Sequence, residues 1–139
     1  MEKEEIQRRY KALILPENKS PYHFDKQAEI EPVTAYNPMC GDKFDLYLKG
    51  VVDQAYFHGI GCAMSKASTS LMIKEIEGKS KDDIIALCRK FLQATESGKS
   101  ETEFPESLNL LIELKDFDGR LECIQLSWKA LLSHLENIK

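Results

Sequence analysis

The hydrophobic pattern of this chain changes from the period of strands to that of helices at the glycines Gly59 and Gly61. Before them, apolar residues such as Phe44, Leu46 and Leu48 alternate with polar ones, and this period of two predicts half-buried strands. After them, apolar residues recur at the 3.6-residue spacing of amphipathic helices. Strands followed by helices predict an α+β domain. We expect a three-stranded antiparallel sheet with about five helices, packed mainly on one of its faces.

The boundaries of these elements follow from turn residues. A first helix is expected from about Glu2 to Leu15, ended by Pro16. The three strands are expected at about residues 27–36, 44–49 and 51–57. The later helices are expected at about residues 64–76, around 84–92, at 108–114 and at about 120–136.

Length and charge exclude several classes of protein. The chain has 139 residues, which is enough for one domain, residues 1–139, with a core that needs no disulfides. The net charge is −4, with basic and acidic residues intermixed, so neither a nucleic acid nor a membrane surface is an expected partner. The N-terminus is acidic and lacks the apolar core of a signal peptide, so we expect a cytoplasmic protein.

The segment Asn37–Asp42, with the sequence NPMCGD, follows the first expected strand. Asparagine followed by proline favours a turn, and glycine adopts backbone angles that are closed to other residues. The segment therefore predicts a tight loop in which the thiol of Cys40 and the carboxylate of Asp42 converge on one point.

Two more cysteines, Cys62 and Cys123, lie at expected helix starts, where unpaired amides favour ionisation of a thiol. With Cys40 and Asp42 they supply the four ligands of a tetrahedral site. Soft thiolates favour zinc or an iron–sulfur cluster over magnesium or calcium. For each cysteine alone, the alternative is a small, buried, inert side chain. We interpret Cys88 in this way, because it lies in the middle of an apolar helix face.

Three motifs strengthen the metal hypothesis: NPMCGD at 37–42, GIGCAMSKAS at 59–68 and CIQLSWKAL at 123–131. Together, and in this order, they resemble the iron–sulfur scaffold family of IscU and the NifU N-terminal domain, along nearly the whole chain. The resemblance implies that Cys40, Asp42, Cys62 and Cys123 line one exposed site that holds zinc or a nascent [2Fe–2S] cluster. It also implies that sulfur arrives as a persulfide from a pyridoxal-phosphate cysteine desulfurase.

Two departures indicate the SufU-like branch of that family. IscU-type scaffolds carry a histidine before the third cysteine, where this chain has Glu122, and a chaperone motif upstream, where it has Lys115–Gly119. Arg120, three residues before Cys123, and the long segment after Cys62 are similar to SufU-like proteins, which bind zinc. By this resemblance Arg120 is a candidate contact with a SufS-type desulfurase. A solvated side chain in the first helical turn is the alternative.

The resemblance implies a role in iron–sulfur cluster assembly in one of two forms. The chain is either a scaffold for a labile cluster or a zinc-dependent sulfurtransferase that carries persulfide sulfur. Cys123 and Cys40 are the candidate sulfur acceptors, and the expected partners are a SufS-type cysteine desulfurase and apo iron–sulfur acceptor proteins. The alternative from another class is a small zinc-stabilised interaction domain without sulfur chemistry.

Overall fold

A computed structural model describes residues 3–50, 52–99, 104–114 and 121–137. Three strands form one antiparallel sheet in the order β1-β2-β3, with bounds β1 Val33–Tyr36, β2 Lys43–Lys49 and β3 Gln54–Ile60. The helices are α1 Lys3–Arg9, α2 Leu15–Lys19, α3 Ala63–Ile76, α4 Lys81–Ser97, α5 Glu106–Glu113 and α6 Leu121–Asn137. The predicted α+β class is confirmed. None of the helices in these ranges is long and apolar enough to cross a bilayer.

Two strands differ in extent from the prediction. The first is shorter, Val33–Tyr36 rather than 27–36, because the chain turns at residues 27–30, where the Ile30 N–H donates to the Gln27 carbonyl at 3.2 Å. The third is shifted to Gln54–Ile60, which leaves Asp53 in the turn after β2 and places Ala55 and Phe57 in the core. The predicted start of that strand, residue 51, lies outside the described residues.

The N-terminal helix continues past Pro16, where the sequence predicted its end. Between α1 and α2 the chain runs through a π-helical turn, Tyr10–Ile14, and Pro16 lies in the first turn of α2. A proline is tolerated there because N–H groups in a first turn need no partner within their own helix. The predicted end at Pro16 is therefore wrong, and helical structure extends to Lys19.

Helices α3 and α6 are held together by buried polar contacts rather than by apolar packing alone. Ser68 Oγ donates to the Ile124 carbonyl at 2.7 Å and accepts the Trp128 indole N–H at 3.0 Å. A second pair, Thr69 and Ser127, shares a hydrogen bond of 2.7 Å between hydroxyl oxygens. These satisfied buried bonds fix the relative position of the two helices. The first turns of α3 and α6 are thereby held at a set distance.

Candidate metal centre

The loop between β1 and β2 holds two of the predicted ligands near each other. The Asn37 N–H donates to the Asp42 carbonyl at 2.9 Å, and the Gly41 N–H donates to the Asn37 carbonyl at 2.8 Å. Gly41 has a φ of +81°, a conformation that glycine adopts at little cost. These bonds close a tight turn, so that Cys40 and Asp42 lie together at the end of the sheet.

Three of the four predicted side chains meet at this point. The Sγ of Cys40, a carboxylate oxygen of Asp42 and the Sγ of Cys123 all lie within 4.8 Å of one another. Two sulfur ligands of a tetrahedral zinc ion, each bonded at about 2.3 Å, stand roughly 3.8 Å apart. The three groups therefore need to approach one another by about 1 Å at most to share an ion.

Cys62 lies beside this group, at the start of α3. Its N–H donates to Asp42 Oδ1 at 3.2 Å, and its Sγ caps the helix by accepting the Ser65 N–H at 3.4 Å. Its thiol is also close enough to Cys123 to form a hydrogen bond that acts on the pKa of that residue. All four predicted side chains thus come together, with the sulfur of Cys62 engaged in capping α3.

The carboxylate of Asp42 is buried and only half satisfied. The residue is 5% exposed, and its Oδ2 has no hydrogen-bond partner among the described residues. Such an atom costs about 1–3 kcal/mol, and more when it carries charge. A cation held between Asp42 and the cysteine sulfurs would offset this cost. The residues therefore fit a metal, and sulfur ligands with one carboxylate oxygen suit zinc or iron.

The thiol of Cys123 keeps its proton when no metal is bound. Burial is the main cause that raises its pKa from 9.0 to about 12, and the neighbouring Cys62, Asp42 and Cys40 add to the effect. The expectation that a helix start favours ionisation is therefore wrong for Cys123, because desolvation and negative neighbours dominate. A coordinating thiol is deprotonated by the metal. Metal binding near neutral pH should therefore release protons.

The site opens to the surface on the side of Cys40, which is exposed, whereas the other two site cysteines are half-buried. Large apolar side chains are exposed nearby: Met39 by 89%, Ile60 by 74% and Tyr36 by 57%. Tyr36 and Ile60 both pair with Lys43, so these three residues form one row across the end of the sheet. Grouped exposed apolar side chains mark a contact surface for another molecule.

Cys88 lies apart from the site, buried on the apolar face of α4 as the sequence predicted. Burial raises the pKa of its thiol to about 12. The unfolded chain releases this proton at lower pH than the folded one. The thiol therefore contributes a loss of stability as the pH rises above 9, and none below it.

The difference in exposure between Cys40 and Cys88 predicts a large difference in their reactivity. We expect a thiol-alkylating reagent at pH 7 to modify Cys40 of the metal-free protein readily, and Cys88 only after unfolding, because alkylation requires an accessible thiolate. Peptide mass spectrometry at successive times, with and without denaturant, measures both rates. Equal rates in the folded protein would contradict the placement of Cys88 in the core.

Arg120, the candidate partner contact, lies outside the described residues. Ser65 was not predicted as a site residue, yet its N–H donates to the Cys62 sulfur at 3.4 Å and its Oγ lies 3.5 Å from that sulfur. Ser65 stands three residues after Cys62 at an expected helix start, which is the spacing at which an N-cap side chain meets the backbone N–H of the third helical residue. That spacing was the available signal.

The family described as "NifU-like N terminal domain" matches residues 1–107 of this chain, a span that includes Cys40, Asp42 and Cys62. This chain belongs to the NifU-like N-terminal domain family. The resemblance read from the three sequence motifs is confirmed. Cys123 lies beyond the matched span and reaches the site through the packing of α6 against α3.

Relatives of this family member carry two kinds of name. It is 34% identical to the iron–sulfur cluster assembly scaffold protein IscU of Thermotoga maritima over 105 residues, which are 73% of this chain and 74% of that protein. It is 32% identical to the zinc-dependent sulfurtransferase SufU of Bacillus subtilis over 130 residues, or 88% and 86% of the two chains.

A solved structure shares the fold along almost the whole chain. It is the crystal structure of a candidate iron–sulfur cluster assembly scaffold protein for the SUF system, from Fervidobacterium islandicum. The TM-score is 0.78 and the sequence identity 25%, covering 96% of this chain and 99% of that one. This chain is therefore similar to SufU-type proteins in fold as well as in sequence.

Proposed function

We propose that this chain is an iron–sulfur cluster assembly protein that accepts persulfide sulfur from a cysteine desulfurase. The proposal rests on the convergence of three cysteines around a buried carboxylate whose Oδ2 has no partner among the described residues. The relatives named as a cluster assembly scaffold and as a zinc-dependent sulfurtransferase support it. Scaffold and sulfur carrier are two forms of this one function.

The proposed ligands are Cys40, Asp42, Cys62 and Cys123, either for a zinc ion or for a [2Fe–2S] cluster that is passed onward. A bound metal supplies one thing to the chemistry, which is to keep the thiolates deprotonated at neutral pH. The free Oδ2 of Asp42 is the oxygen donor. A carboxylate binds iron more weakly than a thiolate does, so a cluster held partly by Asp42 is easier to release.

Sulfur transfer begins when a thiolate of the site attacks the terminal sulfur of the donor persulfide. One S–S bond forms to the attacking cysteine while the donor's S–S bond breaks and its cysteine leaves as a thiolate. The exchange therefore involves no net oxidation or reduction. Cys40 is the exposed cysteine of the site and meets an incoming persulfide first. We assign the acceptance to Cys40, with Cys123 as the second candidate.

The proposed function implies a sulfur donor, sulfur or cluster receivers and a cellular compartment. The donor is a SufS-type cysteine desulfurase, the receivers are apo iron–sulfur proteins, and the cytoplasm is the compartment, since free thiols persist there. Residues 1–139 act as a single domain. Arg120 stays a predicted contact with the donor, on the strength of the resemblance alone.

The direct test adds the wild-type protein to a SufS-type desulfurase with cysteine as substrate. We expect alanine production to rise severalfold, because the protein removes the persulfide that otherwise blocks turnover. Mass spectrometry should then find one added sulfur atom on Cys40. A folded, metal-loaded protein that changes neither readout would favour the zinc-stabilised interaction domain.

A further inference from the structure

Within the residues that the structure describes, strand β1 lies at the edge of the sheet and pairs with β2 alone. The Asn37 N–H donates to the Asp42 carbonyl, so Asn37 and Asp42 face each other as a hydrogen-bonded pair. In an antiparallel ladder hydrogen-bonded pairs alternate with non-bonded pairs, so Ala35, two residues earlier, is hydrogen-bonded to its partner Phe44 on β2. The N–H and C=O groups of Thr34 and of Tyr36 therefore point away from the sheet.

Strand β3 forms the opposite edge of the sheet and follows the same alternation, and there the outward N–H and C=O groups of Phe57 already have partners. Phe57 of β3 is an outward residue by the same count. Its N–H donates to the His23 carbonyl at 3.0 Å, and its carbonyl accepts the Asp25 N–H at 2.9 Å. On the β1 edge, no main-chain bond from outside the sheet reaches Thr34 or Tyr36 within the described ranges.

A groove of about 450 Å³ runs along the open edge, between β1 and α6. Its floor is Leu126 and Ala130 of α6, which are half-buried, and its rim carries the exposed charges of Glu122 and Lys129. A chain laid beside β1 finds main-chain partners on one side and an apolar floor on another. This is the arrangement in which proteins bind a peptide by adding a strand.

Two prolines limit the open edge to a short window. By the same alternation, Pro32 and Pro38 occupy the next outward positions on either side of Thr34 and Tyr36, and neither has an N–H to donate. Proline at a sheet edge discourages long edge-to-edge pairing. The window therefore fits a segment of about five residues rather than the whole edge of another sheet.

We propose that this groove binds a short extended segment of the sulfur donor as a fourth strand, beside the reactive cysteine. The inference rests on the proposed function, because it takes the donor to be the persulfide-bearing partner. The groove ends at Asn37 and Pro38, and the next residues of the tight turn carry Cys40. A donor cysteine one or two residues beyond the position paired with Tyr36 is thereby brought to the site.

The rim charges add a constraint on the donor segment. Glu122 and Lys129 are seven residues apart on one helix, which separates them by about 10 Å along the axis. An extended chain spans that distance in about three residues. The donor segment should therefore carry a basic residue near its site end, opposite Glu122. An acidic residue about three positions away should lie opposite Lys129.

The test compares Thr34→Pro with Thr34→Ala, using the intact desulfurase as the probe. Both variants lose the Thr34 hydroxyl bond to Asp45. Only proline removes the outward N–H, and it takes no bond from the β1–β2 ladder. We expect Thr34→Pro to bind the desulfurase at least about tenfold more weakly than Thr34→Ala, and to accept sulfur correspondingly more slowly. Calorimetry and the alanine assay measure the two effects.

Hydrogen exchange of the wild-type protein keeps the proposal testable even if Thr34→Pro does not fold. The amides of Thr34 and Tyr36 should exchange at least about tenfold more slowly in the complex with the desulfurase. If the amide exchange does not change, or if both variants bind the desulfurase equally well, the proposed binding of the donor in the groove is wrong. The proposed function still stands in either case, provided that sulfur is accepted. A wild-type protein that neither binds the desulfurase nor accepts sulfur overturns both. A dimer of this chain that Thr34→Pro dissociates also overturns the proposed occupant.

Discussion

Replacing any one of Cys40, Cys62 and Cys123 with alanine should reduce sulfur acceptance and desulfurase stimulation to background. Each change removes either the attacking thiolate or a thiolate that holds the metal. Loss of a side chain that only orients a ligand costs about 10–100-fold in metal affinity, and loss of a ligand should cost more. Bound zinc, measured by elemental analysis after dialysis, and alanine formation are the two measurements.

Cys88→Ala is the matched control for these variants, because it is the same chemical change in the same protein. Its thiol is buried in α4, away from the site, so metal content and desulfurase stimulation should stay at the wild-type level. The cost should appear only as a loss of stability of about 1 kcal/mol. Full activity in a site variant, or lost activity in Cys88→Ala with the fold intact, would remove the basis for the site.

Asp42→Ala should lengthen the life of a reconstituted iron–sulfur cluster by about tenfold, which corresponds to about 1.4 kcal/mol in the barrier to release. In the proposed ligand set the carboxylate of Asp42 would be the weakest ligand and would exchange first, so its removal would leave only thiolate bonds to break. The charge-transfer absorption of the cluster, followed after adding an apo acceptor protein, gives the decay rate. Faster decay would remove this explanation for the carboxylate.

Asp42→Asn separates the metal effect from a structural one. The asparagine side-chain carbonyl still accepts the Cys62 N–H that Oδ1 accepts now, but it carries no charge. Both variants should slow cluster release. In the metal-free protein, Asp42→Ala should not lower the melting temperature. The lost hydrogen bond, about 1 kcal/mol, is offset by removing the unpartnered Oδ2.

Local patterns along the chain predicted most of the fold. The alternation around Phe44 and Leu46 is that of a strand with one buried face, and both residues are buried in β2. Ser80 stands just before α4, where serine favours a helix start, and its Oγ accepts the Asp83 N–H at 3.1 Å. Such features depend on a few neighbouring residues and on burial of one face, so the order of residues is sufficient to predict them.

The errors occurred where a local rule competed with its surroundings. Pro16 usually ends a helix, but the preceding π-helical turn places it where its missing N–H costs nothing. Cys123 was expected to ionise readily at a helix start, yet burial raises its pKa to about 12. The sum of desolvation and neighbouring charge depends on residues far away in the chain. A short local motif therefore cannot predict the pKa of this thiol.

By itself, the sequence determined the α+β class, the tight Cys40–Asp42 loop and the separation of one core cysteine from three others. Only the tertiary structure decided that Asp42 is buried and that, in the part of the chain the structure describes, one of its oxygens is unpaired and β1 leaves an open edge beside α6. The first set follows from periodicity and turn chemistry, which act between near neighbours. The second depends on how α6 packs against the sheet and α3. That packing sets the burial of each atom and the direction of each unpaired group, and no local pattern encodes either.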